Sequence, residues 1–115
     1  MENSGLTKKD IDSIKTIFSK YKQIEKVLIY GSRAKGNYKP ASDIDLTLIG
    51  RGIDLSLQLK IEFDLDDLML PYKFDISIYH KITDPEFIDH INRVGKEFYT
   101  RKSSEGTTLN LVYGI

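Results

Sequence analysis

The sequence has no cysteine and no tryptophan, and only three prolines and two histidines in 115 residues. Without cysteine there is no disulfide scaffold, no thiolate metal site and no cysteine nucleophile. The two histidines, His80 and His90, lack paired ligand spacing and do not make a zinc site. No apolar run approaches the roughly 20 residues a membrane span requires. Residues 1–9 lack the apolar centre of a secretory signal, so the expected compartment is the cytoplasm, with no membrane partner. There is no repeat, no low-complexity tract and no Pro/Gly/Ser linker. What remains is an ordinary globular mixture, 40% apolar and 30% charged. Its length supports one hydrophobic core and not two. One domain over residues 1–102 is expected. In the tail, 103–115, Thr107, Leu109, Leu111 and Tyr113 alternate; it reads as an added edge strand or as a frayed terminus.

Charge of one sign is also lacking, since 17 basic residues balance 17 acidic ones. The balance hides a pattern. Residues 1–42 hold nine Lys/Arg against four Asp/Glu, and residues 43–75 hold three against eight. Residues 76–115 hold five of each. A direct nucleic-acid binder carries an overall basic excess, so none is expected here. A basic segment followed by an acidic one is either a solvated surface or a site where cations meet phosphates and carboxylates hold a metal.

Periodicity places the elements. Ile11, Ile14, Phe18 and Tyr21 share a helical face between Thr7, a capping residue, and about Lys22. Lys26–Tyr30 and Ile44–Ile49 read as strands, each ended by glycine, and Lys73–Tyr79 as a third. Between the first two lies a turn-rich basic stretch, 31–42. Residues 54–69 carry conflicting signals. Leu55, Leu57, Leu59, Ile61, Phe63 and Leu65 alternate as in a strand, but the residue types favour helix and Asp54 is a good cap. We read a helix, which also supplies the crossover that parallel strands need. Asp84 and Pro85 open a last helix expected to reach about Arg101, with Phe87, Ile88, Ile91, Val94 and Phe98 on its apolar face. The fold class is therefore α/β (α+β): a small mixed sheet flanked by helices. The first two strands are expected to be antiparallel, and the second and third parallel.

Asp43 and Asp45 stand two apart on a strand and face the same way, away from Ile44, Leu46 and Leu48. Asp75 lies on the non-core side of the third strand. If the strands are adjacent, the three carboxylates converge, and such crowding either raises a pKa or recruits a cation. An oxygen-only set suits Mg²⁺ or Mn²⁺ completed by water and substrate phosphates. Gly31-Ser32 at the end of a strand allows close backbone approach and offers a hydroxyl donor to a phosphate, and Arg33 and Lys35 add charge. The loop is neither a P-loop, because Asn37 stands where Lys is needed, nor a dinucleotide fingerprint, because Arg33 stands where Gly is needed. Tyr38 and Tyr72 read equally as base-stacking or as packing residues.

In this order, the run GSRAKGNYKPASDIDL followed by Asp75 resembles the signature of the DNA polymerase β-like nucleotidyltransferase superfamily. The short chain is similar to its minimal nucleotidyltransferase (MNT) domains over about residues 6–100. The resemblance implies that Gly31 and Ser32 hold nucleotide phosphates, steadied by Arg33 or Lys35. It implies that Asp43, Asp45 and Asp75 ligate two Mg²⁺ ions, and that Asp75 helps deprotonate an acceptor hydroxyl. It implies transfer of a nucleoside monophosphate, usually AMP from ATP, with release of pyrophosphate. Many minimal members pair with a helical HEPN protein, and some adenylylate a Tyr on that toxin. Antitoxin members often have Arg where this chain has Lys35, which keeps the charge but loses bidentate contact. The competing expectation is a non-catalytic module that neutralises a HEPN partner by contact alone.

Overall fold

A computed structural model of the chain describes residues 4–101. The first helix, α1, spans Lys8–Ser19 and starts where the Thr7 hydroxyl accepts the Asp10 N–H at 3.0 Å. It buries Ile14, Ile17 and Phe18 and stops short of Lys22. Carbonyls around its end are collected by the guanidinium of Arg101. That group donates to Phe18, Ser19, Tyr21 and Ile24 oxygens at 2.6–3.4 Å. Strand β1, Lys26–Tyr30, runs directly into a five-residue helix, α2, Gly31–Lys35. Strand β2, Ile44–Ile49, returns antiparallel to β1. Helix α3, Leu55–Asp67, crosses over to β3, Phe74–Ile78, which lies parallel to β2. A 3₁₀ turn, Tyr79–Lys81, leads to helix α4, Pro85–Val94, and a fourth strand, β4, Lys96–Thr100. The sheet order is β3-β2-β1-β4, with β4 antiparallel to β1.

The end of the chain corrects the sequence reading. The helix expected to run to Arg101 stops at Val94, and residues 96–100 form a strand. Gly95 makes the break. It is extended (φ −66°, ψ 142°), its N–H closes on the Ile91 oxygen at 2.7 Å, and a Cβ there would overlap that oxygen. Phe98 keeps helical spacing from Val94 but reaches the core from β4. The register shifts between Val27 and Leu28, so Phe98 is an extra residue between their partners Tyr99 and Glu97. From there it meets Phe18 edge-on, with ring centroids 6.2 Å apart.

One sheet face carries the core. Val27, Ile29, Ile44, Leu46, Leu48, Ile76 and Ile78 pack against α1 and against Leu57, Ile61 and Leu65 of α3. The alternation of residues 55–65 is thus two interleaved helical rows. Residues 57, 61 and 65 face inward, and residues 55, 59 and 63 face outward. Asp54 caps α3 by accepting the Leu57 N–H at 2.9 Å. Gln58 donates to the Ile76 oxygen, tying the helix to edge strand β3. On the other face α4 packs over β1, where Tyr30 meets Phe87 and His90 edge-on, and Thr47 of β2 is fully buried. No helix among the described residues is long and apolar enough to cross a membrane. The alternating tail, and the boundary expected at 102, lie outside the described residues.

Candidate active site

The acidic residues lie on this second face, at the starts of β2 and β3. The antiparallel register sets Tyr30 opposite Asp45, and the parallel register sets Asp45 opposite Asp75. Three strands thus present Tyr30, Asp45 and Asp75 in one lateral row. Register partners on one face are close neighbours. Asp43 lies exposed, just before β2 begins.

The electrostatics register this crowding. The Asp45 carboxyl is pushed up to about 6 from its ordinary 3.8. Burial is the largest cause, followed by the negative charges of Asp75 and Asp43, with Arg33 opposing them. The Tyr30 hydroxyl is raised by burial and by Asp75 and Asp45, while the neighbouring Ser77 hydroxyl pulls the other way. Tyr30 is therefore a neutral phenol beside the carboxylates. Nothing in its own sequence context marks it, because its place depends on the strand register.

Gly31 is fitted against Asp45. Its φ is +76°, and a Cβ on it would overlap the Asp45 Oδ2. This glycine lets β1 turn into α2 while the carboxylate lies against the backbone. Gly52 supplies a control, having φ +73° but no atom nearer than 3.9 Å to its virtual Cβ. Both alanine variants carry left-handed strain of about 1–2 kcal/mol. Gly31→Ala adds a steric clash, so in urea melts it is expected to lose at least about 1 kcal/mol more than Gly52→Ala. Equal losses would mean that Asp45 moves aside without cost.

The four candidate residues of the 31–35 segment, Gly31, Ser32, Arg33 and Lys35, have separate places. Gly31 and Ser32 open α2 beside the row, and Lys35 is exposed at its end. Arg33 turns the other way. It is 2% exposed, and its guanidinium donates to the Ser4 oxygen at 2.8 Å, to the Pro40 oxygen at 3.3 Å and twice to the Ser42 oxygen at 3.0 and 3.1 Å. It lies between the rings of Tyr38 and Tyr72, 4.9 Å from each centroid. Arg33 thus pins the N-terminal segment and the loop that delivers Asp43. Tyr38 and Tyr72 are packing residues for that cation.

A family model described as "Polymerase beta, Nucleotidyltransferase" matches residues 12–104. No curated protein matches the chain. Among solved structures, a toxin–antitoxin crystallised with AMP-PNP superposes with a TM-score of 0.64 at 15% identity, covering 93% of this chain and 82% of that one. A complex of tri-AMPylated Shewanella oneidensis HEPN toxin with MNT antitoxin gives 0.62 at 12% identity, covering 93% and 82%. The toxin–antitoxin pair MntA-HepT gives 0.61 at 12% identity, covering 92% and 81%. At these identities the structures speak for the fold, a nucleotidyltransferase fold, and the family match spans most of the sequence. The chain belongs to the polymerase β nucleotidyltransferase family.

Proposed function

We propose that this chain is a metal-dependent nucleotidyltransferase that moves AMP from ATP to a hydroxyl acceptor and releases pyrophosphate. The observation that carries the reading is the lateral row of Asp45 and Asp75 on parallel strands, with Gly31 packed against Asp45. The donor set fits a hard divalent cation. It is all oxygen, and Asp45 is strained toward protonation by its acidic neighbours, a strain that a cation relieves. Among the described residues no three acidic or histidine side chains close into a metal cage of their own.

Asp43, Asp45 and Asp75 would hold two Mg²⁺ or Mn²⁺ ions. These ions would supply charge neutralisation at the phosphates and a lowered pKa for the acceptor hydroxyl. Gly31, Ser32 and the exposed Lys35 seat the triphosphate, and Arg33 acts from beneath by fixing the loop ahead of Asp43. The acceptor oxygen attacks the α-phosphorus, and the bond from that phosphorus to the bridging oxygen breaks. Pyrophosphate carries the electron pair away, and the hydroxyl proton passes to Asp75. The protein works by positioning and electrostatics.

In this reading the acceptor is a tyrosine on a helical HEPN-type partner. Support comes from the likeness in fold to the MNT antitoxin found with an AMPylated HEPN toxin, and to the toxin–antitoxin bound to AMP-PNP. The test combines α-labelled ATP, Mg²⁺, the purified chain and the HEPN-type product of an adjacent gene. Label on a partner tyrosine is the expected result. A tight complex without label supports neutralisation by contact, and neither complex nor label removes the HEPN assignment.

The acidic row also sets a pH dependence. Asp45 has a folded pKa above its unfolded value, so the folded state holds its proton more tightly. Stability from this group is full below about pH 4 and is lost as the pH rises toward about 6. Melting of the metal-free protein from pH 4 to 7.5 is expected to show this decline, and Asp45→Asn is expected to remove it. Added Mg²⁺ should raise the melting temperature more at pH 7.5 than at pH 5. Identical pH profiles for the two proteins would refute the assignment.

A further inference from the structure

Tyr30 is the one member of the lateral row to which the proposed reaction gives no task. Its ring is held in place. It is 6% exposed, and Phe87 and His90 of α4 meet it edge-on with centroids 5.5 and 6.1 Å away. Of the three side chains in the row, it alone is long enough to cross a neighbouring strand at the usual spacing of about 4.8 Å. The strand it faces first is β2, where Thr47, next after Asp45 on the same face, is fully buried. Beyond β2 lies β3, where Ser77 pairs with Thr47 as Asp75 pairs with Asp45. The Tyr30 hydroxyl neighbours Ser77, and it feels the charge of Asp75 more strongly than that of Asp45, its own register partner. The phenol therefore reaches past β2 to β3. Ser77 supplies a second, independent observation. Its hydroxyl oxygen is sealed from solvent and closes no hydrogen bond, and the same holds for Thr47 Oγ1. A buried hydroxyl left in this way costs about 1–3 kcal/mol. Water does not reach the Ser77 oxygen, whereas the Tyr30 oxygen lies beside it.

We propose that Tyr30 is a positioning residue for Asp75: its hydroxyl donates to the Asp75 carboxylate and accepts from the Ser77 hydroxyl. This rests on the nucleotidyltransferase reading, in which Asp75 is a metal ligand and receives the acceptor proton. Asp75 itself is exposed, and an exposed carboxylate samples several rotamers. A charge-assisted hydrogen bond from a clamped ring holds its oxygens in one orientation. The donors run one way, from Ser77 to Tyr30 to Asp75, so the same bonds satisfy the buried serine. Phenylalanine keeps the ring and its contacts with Phe87 and His90 but cannot donate. Tyr30 acts only through Asp75, and Ser77 acts only through Tyr30.

The test titrates Mn²⁺ into the full chain, without nucleotide or partner, and reads free Mn²⁺ by electron paramagnetic resonance. Tyr30→Phe should weaken binding about tenfold, the usual scale for losing a partner of a metal ligand, with an unchanged circular dichroism spectrum. Ser77→Ala should weaken it by roughly threefold in the wild type and not at all in the Tyr30→Phe background. At saturating Mn²⁺ the maximal transfer rate of Tyr30→Phe should still fall by roughly ten- to a hundredfold. Its KM for ATP should stay within about twofold, because Gly31, Ser32 and Lys35 are untouched. A wild-type chain that binds no Mn²⁺ overturns the nucleotidyltransferase reading and this proposal with it. A wild type that binds Mn²⁺ while Tyr30→Phe binds it equally well overturns the proposal alone. So does a Ser77→Ala loss that persists in the Tyr30→Phe background, which would assign the serine to Thr47 instead.

Discussion

Asp45→Asn is expected to reduce nucleotidyl transfer by at least about a thousandfold while raising the stability of the metal-free protein at neutral pH. The two effects share one cause. Asp45 is half-buried between Asp75 and Asp43, and its carboxyl is pushed up to about 6. At pH 7.5 the folded chain therefore holds an ionised group in a place that disfavours ionisation. Asn keeps the shape and removes the charge. After allowance for solvent screening of a part-exposed group, the gain is about 1 kcal/mol in urea or thermal melts. The loss of activity follows from the same charge, because a neutral amide is a poor ligand for a hard cation and leaves the phosphates uncompensated. A variant that is both more stable and inactive identifies a functional carboxylate. Unchanged transfer would remove Asp45 from the metal-binding set, and lower stability would mean that Asp45 has a structural partner. Glu at the same position should fold, but it cannot restore the rate, because the longer arm displaces the oxygens.

Much of this arrangement is legible in the sequence wherever a local rule acts alone. Strands β1 and β2 end where glycine follows a run of β-formers, and their limits match the residues read from pattern. The caps at Thr7, Asp54 and Asp84 are short-range hydrogen bonds that the residue types announce. Residues 54–69 are harder, because a helix with apolar residues on two faces at i, i+4 spacing also alternates. Residue propensity decides for helix, but the second face becomes visible only when the core is known. The last strand is missed for a related reason. Phe98 sits four residues after Val94, and the periodicity runs through Gly95 as though no break were present. The aromatic, extended character of Lys96–Thr100 and the close approach at Gly95 are the signals that separate helix from strand. Tertiary placement is least legible. Tyr30 enters the acidic row through registers with two strands, and Arg33 leaves the loop surface because four backbone bonds and two rings compete for it.

Arg33→Lys tests that placement and should be the most destabilising single change in the loop. The guanidinium serves three carbonyls, from Ser4, Pro40 and Ser42, with its carbon 4.9 Å from the centroids of two tyrosine rings. An ammonium group is a compact, strongly hydrated point that cannot span the three oxygens or stack on both rings. The substitution therefore leaves buried acceptors unserved and a desolvated charge with few partners. Costs of about 3–5 kcal/mol are expected, a large share of the 5–15 kcal/mol typical of a domain. The consequence for chemistry is indirect. Freed from Arg33, the loop before Asp43 loses its anchor, so the maximal rate should fall while the KM for ATP changes little. Arg33 acting as a phosphate ligand would give the opposite signature: near-normal stability, a raised KM and partial function retained by lysine, which keeps the charge. Lys35→Ala, from the exposed end of α2, is the matched comparison. It should raise the KM for ATP and leave the melting curve unchanged, because its side chain projects into solvent. If the two variants exchange these outcomes, Arg33 belongs with the nucleotide and the scaffold reading is wrong.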